Sequence, residues 1–164
     1  MTNTHPRLSG GQPPTGGRVG GVTLIELLIT VAIAAVLLGI GVPSFQNFVA
    51  GQRVKTAAYD ISYVLTYARS EALKRNAEVI IAPAGGGWQD GWSVTAGTDT
   101  LNQHAAFPGL TITGPATSPT YLNNGRLKAA VAGFNISTAA VSNAPNRCVT
   151  VSLSGLPKST KGSC

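Results

Sequence analysis

The side chains able to do chemistry are few and scattered. Among 164 residues there are two histidines, two cysteines and six carboxylates. His5 and His104 are far apart, and neither has Cys, His or carboxylate neighbours at metal-ligand spacing. Asp90 and Asp99 fall in expected loops, with nothing to pair them for acid–base work. Gly85, Gly86 and Gly87 lack the Gly-Lys-Ser/Thr and the helix start of a phosphate loop. This inventory predicts no catalytic residue, no metal and no cofactor. Asn135-Ile136-Ser137 fits a glycosylation sequon only by a three-residue pattern that recurs by chance.

The carboxylate in the most unusual setting is Glu26. It is the only ionisable side chain between Arg18 and Arg53, inside the apolar run VTLIELLITVAIAAVLLGIGV (residues 22–42). A helix needs about 20 such residues to cross a bilayer core of about 30 Å. A secretory signal would have an apolar core of only about 7–15 residues and an Ala-x-Ala-like end. Here the run continues as GVPSFQNF, so the segment reads as an anchor. A carboxylate near the centre of such a helix costs about 2.5–3.5 kcal/mol, less near its end, and normally has a partner. No basic residue on this helix is within reach, so the partner is another chain or an amino terminus made by cleavage. Residues 1–21 hold six Gly, three Pro and two Arg without an apolar core, so they cannot fold alone.

Charge is the other anomaly. Charged residues are 11% of the chain, against about 25% in ordinary soluble domains. The scarcity excludes a charge-rich disordered chain and a long coiled coil. The net charge is nonetheless +6, and no acidic residue follows Asp99. Residues 100–164 therefore carry +5, from Arg126, Lys128, Arg147, Lys158 and Lys161. Such asymmetry serves non-specific phosphate binding, or else a solvated face that aids solubility and docking.

These residues must be positioned by a helix and a sheet. The helix extends beyond the anchor, with Gly39, Gly41 and Pro43 expected to interrupt it. Ala57, Ala58, Ile61, Val64, Leu65, Ala68 and Ala72 then form one apolar stripe, with Arg53, Lys55, Asp60, Arg69, Glu71 and Lys74 largely off it. Lys74 and Arg75 suit the negative end of the helix dipole, and Asn76 suits its stop. From Glu78 the period changes to two. Residues 78–82, 92–96, 110–113, 126–131, 133–136 and 147–153 read as strands, and 96–120 as a long loop region. One helix followed by strands indicates an α+β fold, an antiparallel sheet on the outer half of the helix. The expected division is a leader at 1–21, an apolar half-helix at 22–43, an amphipathic half at 44–76 and a β-rich head at 77–164.

The octapeptide GVTLIELL (residues 21–28) resembles the class III signal of type IV prepilins and pseudopilins. The resemblance implies that prepilin peptidase cuts between Gly21 and Val22 and N-methylates Val22, which stands where the family usually has Phe or Met. It implies that Glu26, fifth in the mature chain, pairs with the amino terminus of a neighbouring subunit during assembly. Pro43 matches a pilin proline where the helix can unwind on packing into a filament. The stretch ARSEALKRN (68–76), the Trp88-Gln89-Asp90-Gly91-Trp92 element, Asn124-Gly125-Arg126 and the terminal Cys-strand-Gly-basic-Cys pattern are similar to the GspH/FimT family of minor pilins and pseudopilins.

That resemblance implies a single pass through a bacterial inner membrane, a periplasmic head, and later a place in a pilus or pseudopilus. Positive-inside counting does not orient the chain, since Arg7 and Arg18 are matched by Arg53 and Lys55. An oxidising periplasm favours a Cys148–Cys164 disulfide, the alternative being two free thiols. The implied partners are prepilin peptidase, other major and minor pilins or pseudopilins, the inner membrane and DNA. In DNA-binding relatives the C-terminal loop carries Gly-Arg-x-Arg; here Gly155-Leu156-Pro157-Lys158 replaces both arginines. The expected DNA contacts are Arg126, Lys128, Lys158 and Lys161. Trp88 and Trp92 read as core and loop anchors, the alternative being stacking on a base or sugar. Minor pilin leads as the functional expectation, a type II secretion pseudopilin follows, and a membrane-anchored periplasmic enzyme is the remote alternative.

Overall fold

The computed structural model describes residues 21–139 and 145–164. The leader expected at 1–21 lies outside the described residues except for Gly21. Helix α1 runs Leu24–Arg75. It starts at Thr23, whose Oγ1 accepts a hydrogen bond from the Glu26 amide at 3.3 Å. Thr-x-x-Glu is the spacing of a capping box, and the carboxylate sits favourably at the positive end of the helix dipole. The expected interruption at Pro43 does not occur: α1 is helical through Gly39, Gly41 and Pro43. Proline removes one backbone bond, yet the helix on either side supplies enough others to carry the chain through one defect. The chain divides into two compact units between Gly39 and Ile40.

In the second unit α1 buries Ala50, Val54, Ala57, Ala58, Ile61, Val64, Leu65, Ala68, Glu71 and Ala72. Every expected stripe residue is among them. Glu71 departs from the expectation, being 8% exposed rather than off the stripe. It is tolerated because Arg75 Nε lies 2.7 Å and Lys74 Nζ 3.4 Å from its carboxylate oxygens. The helix stops at Asn76, in the left-handed region at φ 53°, where the Ala77 amide bonds back to the Ala72 carbonyl at 3.3 Å. That is a Schellman closure, with Asn in the place usually taken by Gly.

Among the described residues eight strands follow: β1 Val79–Pro83, β2 Trp92–Ala96, β3 Asp99–His104, β4 Thr111–Thr113, β5 Thr120–Tyr121, β6 Phe134–Ser137, β7 Arg147–Val151 and β8 Pro157–Lys161. They form two antiparallel sheets, in orders β3-β2-β1-β5 and β4-β6-β7-β8, instead of one. Alternation sends Val79, Ile81, Trp92, Val94, Phe134, Ile136, Val149 and Val151 into one core with the α1 stripe. Two sequence expectations fail here. Residues 126–131 are not a strand; only Leu127 bridges to Tyr121. The expected loop region 96–120 contains β3 and the start of β5, besides the strand expected at 110–113, which is β4. β3 (Asp99–His104, DTLNQH) is an edge strand with no fully buried residue, so no hydrophobic period marks it.

Candidate functional site

Three groups of residues carry the candidate chemistry. The first is the N-terminal helix segment, where every side chain from residue 21 to 48 is exposed. Leu24 is 79% and Ile40 71% exposed, and none of the most apolar window is covered. A surface this apolar requires lipid or other protein. Glu26 forms no ion pair with any described residue, so the structure leaves the expected partner to come from elsewhere. Gly21 and Val22 precede α1 and are exposed, with no regular structure to shield the bond between them.

The second group is the tryptophan element. A single 3₁₀ turn, Trp88–Asp90, precedes β2. Trp88 is buried, donates from Nε1 to the Pro115 carbonyl at 3.1 Å and meets Phe134 edge-on at 4.8 Å. Trp92 is 2% exposed and stacks on His104 at 4.5 Å; His104 in turn stacks on Phe107 at 4.3 Å. Both indoles are core, and neither offers a free face to a base. Gly91 has φ 97°, and a Cβ there would run into the His104 carbonyl. The glycine thus lets β2 begin beside the end of β3. The Gly85–Gly87 loop is closed by its own Asp90, which accepts the Gly86 amide at 3.0 Å. His104 Nε2 lies 3.8 Å from Asp60, a pair that sequence reasoning missed because 44 positions separate the two residues.

The third group is the C-terminal basic end. Cys148 and Cys164 are joined, with Cα atoms 5.0 Å apart and a sequence separation of 16. The four expected DNA contacts do not share one face. Lys128 is held by both oxygens of Glu78 at 3.0 Å. Lys158 and Lys161 are both exposed on β8, opposite Thr150 and Arg147 respectively. Their odd spacing turns them to opposite faces of the sheet. Arg126 is exposed in a turn in which the Leu122 amide donates to the Arg126 carbonyl and the Gly125 amide to the Leu122 carbonyl, each at 2.8 Å, and its own amide donates to Asn124 Oδ1 at 3.0 Å. Arg69 Nε donates to the Gly125 carbonyl of that turn at 3.1 Å. Gly155, at φ 84°, sits so close to the same carbonyl that a Cβ would collide with it. Tyr121 completes the knot by donating to the Gly155 carbonyl at 3.3 Å, and burial pushes its phenol well above the usual range. The residues Arg69, Gly125 and Gly155, drawn from three separate sequence motifs, thus meet at one point.

Residues 57–155, more than half of the chain, match the family described as type II transport protein GspH. Residues 17–42 match the prokaryotic N-terminal methylation motif. The chain is 33% identical over 100 residues to the type IV major fimbrial protein FimA of Dichelobacter nodosus, spanning 60% of this chain and 64% of that protein. It is 41% identical over 54 residues to a fimbrial protein of Pseudomonas aeruginosa, spanning 33% of this chain and 35% of that one. Each alignment therefore covers less than two thirds of the relative. The minor pilin FimU of Pseudomonas aeruginosa superposes with a TM-score of 0.55 and 25% identity, over 65% of this chain and 91% of that one. The minor pseudopilin EpsH of the Vibrio cholerae type 2 secretion system superposes at 0.50 and 17% identity, over 66% and 96%. The EpsH likeness is one of fold.

Proposed function

Because this chain belongs to the GspH family, among the type IV pilins and pseudopilins, we propose that it is a minor type IV pilin that takes part in pilus assembly at or near the filament tip. The observation that supports this reading most is the uncovered helix, exposed from residue 22 to 48 while the stripe from Val54 onward is covered by the head. Neighbouring helices in a filament, or lipid before assembly, are the chemistry that such a surface calls for. In this reading prepilin peptidase cuts between Gly21 and Val22 in the inner membrane, and Val22 receives the methyl group. Glu26 then takes the amine of the next subunit as its partner, setting register along the helix bundle. The head faces the periplasm and later the pilus surface. Contact with DNA during uptake rests on Arg126 and Lys158, since Lys128 is engaged and Lys161 turns away.

A second reading, a minor pseudopilin of type II secretion, is favoured by the family's own description. Its head would meet other tip pseudopilins or secreted protein. Both readings share processing and assembly, and they part on which filament takes up the chain. Intact mass of the membrane-extracted chain is expected to start at methylated Val22; retention of residues 1–21 overturns both. Glu26→Ala is expected to stay in the membrane at parental level but fall to background in purified pili. Loss of piliation with normal secretion in a deletion strain supports the first reading, and the reverse supports the second.

A further inference from the structure

Three cations converge on a cleft at the foot of the head. The cleft has a volume of about 340 Å³ and lies between α1 and the start of β7, with Asn47, Phe48, Lys55, Asn146, Arg147 and Lys161 among its lining. Arg147 and Lys161 are directly opposed across the β7–β8 ladder. Like charges directly opposite each other destabilise a strand pair. Arg147 follows the parity of Val149 and Val151, so it stands at the end of the row that faces α1.

Among the described residues no side-chain carboxylate is paired with Arg147 or Lys161. Among the described residues Asp60 faces His104, Glu71 holds Lys74 and Arg75, Glu78 holds Lys128, and Asp99 faces Arg75. Asp90 closes its own loop. Glu26 belongs to the other compact unit, 29 positions before Lys55 in the sequence. The side chain of Lys55 is placed only over the Tyr59 ring, at 5.7 Å, and no described hydrogen bond or ion pair engages the charged groups of Arg147 or Lys161. Three cations in one concavity without a counter-ion make an anion site.

The place of the cleft along the helix identifies the source of the anion. The apolar run ends at Val42 and Pro43. At 1.5 Å per residue, Asn47 stands about 6 Å and Lys55 about 18 Å beyond Pro43. The headgroup layer occupies about 5–8 Å outside the hydrocarbon core. Asn47 therefore marks the lower end of the cleft, at the level of that layer, and Lys55, over the Tyr59 ring, marks its upper end. Exposed Phe45 and Phe48 flank the lower end, with apolar rings suited to the boundary.

We propose that this cleft binds the phosphate of an anionic phospholipid headgroup, which seats the head on the membrane while the subunit awaits assembly. The proposal rests on the reading of the chain as a membrane-anchored pilin. The test uses the full chain reconstituted in vesicles of phosphatidylcholine, alone or mixed with phosphatidylglycerol, with retained lipid measured by native mass spectrometry. Phosphatidylglycerol is expected to be enriched on the chain over its share of the vesicle. Lys161→Gln and Lys55→Gln are each expected to cut that enrichment about fivefold, the worth of one cation at an anionic surface. Lys158→Gln, on the same strand but the opposite face, is expected to leave it unchanged. Equal enrichment in all three variants, or equal loss in all three, overturns the site. So does inorganic phosphate binding to the detergent-solubilised chain without any phosphatidylglycerol preference in vesicles. Insertion into pure phosphatidylcholine vesicles and a Val22 start test the anchored-pilin reading separately, and both can hold while lipid selectivity fails.

Discussion

Glu71 shows how one charged side chain can join a hydrophobic stripe. Its position, three residues after Ala68 and one before Ala72, is a core position of the helix. Arg75, one turn on, holds the carboxyl below the usual carboxylate range, against a smaller opposing effect of burial. A depressed carboxyl stabilises the fold above the unfolded-state value of about 4.3, and that stabilisation disappears as pH falls through the lower folded-state value. Thermal unfolding of Glu71→Gln is therefore expected to lie below the parent at neutral pH and to converge with it in acid. A gap that persists unchanged at low pH would assign the loss to packing instead. The sequence showed Glu71 as a charge, and its burial could have been read from spacing alone. The Asp60–His104 and Arg69–Gly125 pairings could not, because nothing local connects residues so far apart.

At the scale of elements, strands with a buried face were legible and polar edge strands were not. β2, β6 and β7 alternate clearly, whereas β3 and β8 carry mostly polar residues and take their place by backbone pairing at sheet edges. Among the described residues β8 pairs only with β7, and the Cys148–Cys164 bond ties the residues that follow it back to that strand. A loop of this length contributes about 3 kcal/mol through closure of the unfolded chain. Reduction, or Cys148→Ser with Cys164→Ser, is expected to lower head stability by about that amount in denaturant titration. An unchanged midpoint would mean that the ladder alone holds β8. Pro43 illustrates the converse error, since a local helix-breaking signal is outweighed by a long helix on both sides.

For the whole molecule, net charge is a poor guide until each cation has an address. Cleavage after Gly21, as proposed, would remove Arg7 and Arg18 and take +6 to +4; the fold sorts the remaining tail. Lys128 neutralises Glu78, Lys161 joins Arg147, and Arg126 and Lys158 stay free of ion pairs among the described residues. A DNA contact through this end would neutralise about two phosphates, giving a slope of log K against log salt of about −1.8. Arg126→Ala with Lys158→Ala in the detergent-solubilised full chain is expected to abolish that slope. A much steeper dependence, or one the double variant leaves intact, would move the contact elsewhere on the molecule.

By itself the sequence determined the parts whose physics is local. An apolar run of bilayer length, a single carboxylate near its start, a 3.6-residue stripe and the terminal pair of cysteines all follow from residue type and spacing. Tertiary structure alone decided what distant residues do together. It made two sheets from strands of alternating and polar pattern and buried both tryptophans. It tied Arg69 to Gly125 and Gly155, and divided the basic tail into a neutralised lysine, an exposed pair and two cations that meet Lys55 at the cleft. Such outcomes depend on which strands pair and in what register, and a one-residue shift would turn Lys158 and Lys161 to each other's faces.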